Sequence, residues 1–149
     1  MNKYILLSLI LSSIITPTAW AGTYEWTSGW GMGVSEYLVD DGNGNELVIA
    51  CPDDDSEYVS ASATVNGRNY SSKSEQGFDV VVDGKVFTNP FFTECRACGT
   101  NFPEFWEALR NANNLYLQTE GMTVRLPTRN IKRELPSLDD EGNTCRSAW

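Results

Sequence analysis

Histidine is missing from all 149 residues, and with it goes the side chain most often used as general base, proton shuttle and catalytic metal ligand. Ser-His-Asp and Cys-His hydrolase arrangements and histidine-bearing metallopeptidase helices are excluded within this chain. Carboxylate, lysine, tyrosine or thiol chemistry remains. Two carboxylates suffice for glycoside hydrolysis, but no pattern here sets a chosen pair across a cleft. Positive charge is also scarce. No lysine or arginine lies between Gly22 and Gly67, a stretch that carries Glu25, Glu36, Asp40, Asp41, Glu46, Asp53, Asp54, Asp55 and Glu57. A field of that sign repels DNA, RNA and anionic lipid and speeds encounter with a cationic partner. Its plainer use is solubility. A phosphate-cradling glycine loop is lacking, because Gly29, Gly31 and Gly33 sit in a strand-like stretch with no βα unit after it.

A long apolar run is absent as well. The stretch from Tyr4 to Ile15 falls short of the roughly 20 residues that span a bilayer. With Lys3 before it, Pro17 after it and the small-x-small sequence Ala19-Trp20-Ala21 at its end, it reads as a secretory signal cut after Ala21. The expected domains are thus residues 1–21, a cleaved signal, and residues 22–149, a single exported domain in the periplasm or outside the cell. The residue directly after the cut is Gly22 and not a cysteine, which argues against a lipid anchor, and no stable membrane insertion is expected after cleavage. Loss of Lys3 takes the formal charge from −9 to −10.

What remains alternates with the period of strands. Trp26 to Val34 reads as one extended segment with Trp30 and Met32 on one face and glycines on the other, so close packing is expected on the bare face. Glu36–Val39 and Leu47–Cys51 form a hairpin around Asp41-Gly42-Asn43-Gly44. Asn43 and Asn45 follow Asp41 at EF-hand spacing, yet Glu46 and Pro52 stand where that loop needs glycine and glutamate, so no metal or other cofactor is expected. Val59, Ala61, Ala63 and Val65 face one way before a turn at Asn66-Gly67, and Phe78, Val80 and Val82 precede one at Asp83-Gly84. Asn101 and Glu104 form a capping-box pattern that opens an amphipathic helix near 102–113. Leu115–Leu117 and Met122–Leu126 make a last hairpin, and Thr128 caps a short C-terminal helical turn carrying Ile131 and Leu135 inward. The fold class is α+β, mostly antiparallel β in a hairpin-rich sheet or small sandwich, stabilised by disulfides.

Cys51, Cys95, Cys98 and Cys145 are an even set in an oxidising compartment. Local spacing favours Cys95–Cys98, which leaves Cys51–Cys145 to hold the tail. Cys-x-x-Cys is also the motif of thiol oxidoreductases, where the first cysteine opens a helix after a parallel strand. Here the helix signal starts only at Asn101, so a structural pair is expected.

The candidate partner-binding residues are the acidic cluster Asp53, Asp54, Asp55 and Glu57, together with Trp26 and Trp30, for which core packing is the simpler use. Trp149 is not placed by its sequence context. Arg125, Arg129, Lys132 and Arg133 oppose the acidic half, which allows either self-association or neutralisation within the domain. The sequence therefore points to a small exported binding protein, not an enzyme, that acts by surface recognition, as an inhibitor or immunity-like partner of a cationic protein. The alternatives are an accessory subunit of an envelope or secretion assembly and a thiol-disulfide oxidoreductase using Cys95 and Cys98.

Overall fold

The computed structural model describes residues 23–149, and the expected signal segment lies outside the described residues. Nine strands and three short helices follow in the order β1 (Thr27–Gly31), β2 (Val34–Asp40), β3 (Glu46–Pro52), β4 (Ser60–Val65), β5 (Arg68–Ser71), β6 (Asp79–Val82), β7 (Lys85–Phe87), α1 (Arg96–Thr100), α2 (Phe102–Arg110), β8 (Leu115–Thr119), β9 (Met122–Leu126) and α3 (Ile131–Glu134). The first sheet is a five-stranded antiparallel meander in sequence order. The second has four strands in the order β7-β6-β8-β9, also antiparallel, with α1 and α2 inserted between β7 and β8.

Alternation in the sequence decides which face each strand buries. Leu47, Ile49 and Cys51 of β3 point inward beside Ala61, Ala63 and Val65 of β4, and Val80, Val82, Leu115 and Leu117 do so from the second sheet. Phe102, Phe105, Trp106 and Leu109 form the apolar stripe of α2 and join one core cluster with both sheets. Tyr37 meets Trp106 edge-on at 6.2 Å, and Phe91 meets Phe105 at 5.0 Å. Trp106 donates its indole N–H to the Pro136 carbonyl at 2.9 Å, so the buried ring is also hydrogen-bonded. Together these elements make the antiparallel α+β domain with a bent helix and a short C-terminal helix.

Three local expectations are corrected. The stretch from Trp26 to Val34 is not one strand, because Met32 and Gly33 take φ of 54° and 78° and fold it into a tight hairpin. The chain is already helical before Asn101. Cys95 is the N-cap of α1, Asn101 has right-handed helical geometry and makes no side-chain cap, and α2 ends at Arg110 instead of near 113. Thr128 accepts the Ile131 amide through its carbonyl, but the N-cap of α3 is Asn130, at φ 65°.

Candidate functional site

The disulfide expectations are met in the pairing of Cys51 with Cys145, 94 residues apart, and of Cys95 with Cys98. The first bridge brings the tail across the end of β3. Thr144 donates to the Cys51 carbonyl at 2.8 Å, and Val59 donates to the Arg146 carbonyl at 2.9 Å. That placement consumes much of the acidic cluster. The Arg146 guanidinium binds the Asp55 carboxylate and the Asp54 carbonyl. Hydrogen bonds from Ser56, with Arg146 nearby, hold the Asp54 carboxyl below the usual carboxylate range. Asp53 donates its amide to the Gly33 carbonyl at 2.8 Å and sets its carboxylate where a Cβ on Gly33 would stand, so Gly33 answers a close approach as well as a positive φ. All four acidic residues are exposed, and among the described residues the Asp53 and Glu57 carboxylates have no hydrogen-bond or ion-pair partner, whereas those of Asp54 and Asp55 do.

The two tryptophans separate. Trp26 is fully buried and donates its indole N–H to the Pro127 carbonyl at 3.0 Å, whereas Trp30 is 70% exposed, against the expectation that core packing uses both. The difference lies in position. Trp26 precedes β1 over the core, and Trp30 sits beyond it near the hairpin tip, where Met32 is fully exposed. The bare glycine face also differs from expectation, since a Cβ on Gly29 or Gly31 would meet nothing within 4 Å.

Register fixes what the hairpin presents. Ser28 pairs with Tyr37 and Trp30 with Ser35, so Ser28 and Trp30 share the core-facing side of β1 with Tyr37. That side overhangs a groove of about 520 Å³, closed opposite by Arg110, Lys132, Arg133 and Leu135. Burial pushes the Tyr37 phenol up, against a smaller lowering by its hydrogen bond with Ser35. Hydrogen bonds from Ser28, at 2.7 Å, and from Arg133 hold the Glu134 carboxyl low, and it stays ionised against α3. Arg110 is tied to the Leu135 carbonyl and to Glu107, whereas Lys132 is exposed. Arg129 pairs with Glu25 at 3.5 Å, a partial internal neutralisation of the opposite charges.

A second cleft, of about 440 Å³, lies between β7 and α2 and includes Cys98 in its wall. Cys95 is exposed, Cys98 half-buried, and the Cys98 amide donates to the Cys95 sulfur at 3.1 Å. The premise that the helix begins well after this pair is therefore corrected. The other premise stands, because among the described residues no parallel strand precedes it. The chain end closes over the same helix. Ser147 donates to the Gly99 carbonyl at 2.9 Å, and the Trp149 ring lies 5.6 Å from the Arg96 guanidinium.

The YfjT family matches residues 24–135, three-quarters of the chain. The chain belongs to the YfjT family. Neither a curated protein nor a solved structure matches it. The YfjT span contains the β1–β2 hairpin and α3, hence Trp30, Met32, Lys132 and Arg133. Cys145 and Arg146, which engage Cys51 and the acidic cluster, lie beyond it. Among the described residues of this YfjT domain, no group of acidic or cysteine side chains is arranged to hold a metal ion, and no helix is long and apolar enough to cross a membrane. Asp41 is instead occupied by the Asn43 and Asn45 amides of its own hairpin loop.

Proposed function

We propose that this YfjT-family chain is an exported binding protein that docks a partner protein through the β1–β2 hairpin and the groove beneath it. The carrying observation is the exposure of both Trp30 and Met32 at the end of an edge hairpin whose packing uses neither. Large exposed apolar side chains grouped together mark interaction surfaces, and tryptophan is prominent among binding hot spots. The two disulfides support an oxidising compartment. The acidic cluster is the weaker candidate because Arg146 already engages Asp54 and Asp55. Its remaining role is to steer encounter and keep the protein soluble. The test is capture of envelope proteins by the folded mature chain. Trp30→Ala is expected to lose the partner that wild type retains, while reversal of Asp53 and Glu57 to lysine changes the salt dependence more than the retention. Retention by Trp30→Ala together with loss in the reversal variant would contradict the proposal.

The exposed residue Cys95 at the N-cap of α1, disulfide-bonded to Cys98, favours one second reading, thiol-disulfide exchange. A titration separates the two. Opening near about −120 to −200 mV with the fold intact favours exchange, and resistance below about −300 mV marks a structural bond.

A further inference from the structure

Three features of the β1–β2 hairpin have no use inside the fold. Gly29 and Gly31 have neither a positive φ nor a neighbour within 4 Å of the missing Cβ, although glycine in a strand weakens it. Met32 holds the first left-handed position of its hairpin turn, where Asn66, Asp83 and Glu120 stand in the turns at Gly67, Gly84 and Gly121. An apolar side chain there is both strained and exposed. The third feature is the edge itself. A two-residue loop makes Gly31 and Val34 a hydrogen-bonded pair, so the backbone groups of Ser28 and Trp30 point off the sheet. The chain uses that edge once, where the Trp26 amide donates to the Arg129 carbonyl at 2.9 Å, and leaves it open toward the tip.

We infer that the β1 edge accepts an extended, acidic segment of a partner protein as an added strand. This deepens the binding role proposed above and rests on it. The new strand pairs with the backbone of Ser28 and Trp30, its alternate side chains run under the Trp30 ring, and glycines at 29 and 31 leave the opposite face free of obstruction. Charge selects the occupant. Arg110, Lys132 and Arg133 line the groove with Glu134 and Asp140, and because Glu107 holds Arg110 and Glu134 holds Arg133, the exposed Lys132 is the lining cation with no ion pair among the described residues. Ser28 and Arg133 already occupy the Glu134 carboxylate, which leaves Lys132 to meet an incoming carboxylate.

The test uses the folded mature chain and a synthetic peptide of about ten alternating glutamate and threonine residues, long enough for one strand, with its lysine-threonine counterpart as control. Amide exchange and fluorescence titration provide the readouts. The glutamate peptide is expected to bind at least tenfold tighter than the lysine peptide, to weaken as salt rises, and to slow exchange of the Ser28 and Trp30 amides. Ser28→Pro removes an outward donor without touching the β2 ladder and is expected to lose at least tenfold in affinity. Ser28→Ala, which loses only the hydrogen bond to Glu134, is expected to bind like wild type. Equal binding by Ser28→Pro and wild type, preference for the lysine peptide, or no binding of either peptide at about 1 mM would overturn the inference. A Trp30-dependent dimer of the chain alone would also overturn it, assigning the edge to a second copy. If the inference fails while partner capture still depends on Trp30, the hairpin is the binding surface and only the strand-addition chemistry is wrong. Loss of both removes the binding role as well.

Discussion

At the scale of single residues, the hairpin tip separates stability from function. Replacing Met32 by Asn puts a residue that tolerates the left-handed region at φ 54°. Stability should rise by about 1 kcal/mol, a few degrees in Tm, while partner binding falls. Thermal unfolding and binding measured on one preparation check both signs. Trp26→Ala and Trp30→Ala form a matched pair. The first empties a fully buried site and is expected to cost about 3–5 kcal/mol in denaturant unfolding. The second should stay within about 0.5 kcal/mol of wild type. The sequence could not distinguish these two residues, because both lie at the same parity of an alternating stretch. Only the Met32-Gly33 turn ends the strand early enough to carry Trp30 past the core. The bare face of Gly29 and Gly31 was legible, and what fell outside local reasoning was that nothing in the same chain packs against it.

Among the elements, the hairpins at Asn66-Gly67, Asp83-Gly84 and Glu120-Gly121 were readable because polar-glycine pairs specify such turns. The turn at Met32-Gly33 lacked that signature. The start of the helical segment was hidden for a related reason, since a disulfide-bonded cysteine serves as N-cap where the pattern Asn101-x-x-Glu104 offers a more familiar one. Asp83 gives this scale its pH dependence. Amides of Asn113 and Asn114 donate to its carboxylate, tie the β6–β7 turn to the entry of β8, and lower its pKa. A depressed carboxylate contributes stability that is present above the unfolded pKa and lost as pH falls through the folded one. Asp83→Asn should therefore be less stable than wild type at pH 7, with the difference closing as both are taken to about pH 2. Thermal unfolding across that range tests it. The disulfides differ by loop length. Loss of Cys51–Cys145 should cost about 4–5 kcal/mol and free the tail, and loss of Cys95–Cys98 about 2 kcal/mol or less. Denaturant titrations of the paired alanine variants measure the contrast.

Over the whole molecule, charge and topology point in different directions. The acidic first half suggested a surface for a cationic partner, but the Cys51–Cys145 bridge draws Arg146 onto that surface, a long-range contact that local sequence does not announce. The meander leaves β1 at one edge of a sheet whose inner face packs with α2 and the second sheet in one core. Edge strands are normally shielded by charge, proline or a bulge, and β1 carries instead Trp30 and two glycines without a structural requirement. The central claim is that this hairpin is the recognition surface. Site-specific photocrosslinking in living cells tests it most directly, with the probe at Met32, a second probe at the acidic residue Glu57, and each repeated with Trp30→Ala. A discrete adduct from position 32 that disappears with Trp30→Ala is the predicted result. An adduct from position 57 that survives Trp30→Ala, with none from position 32, would contradict the claim and return the acidic face to first place.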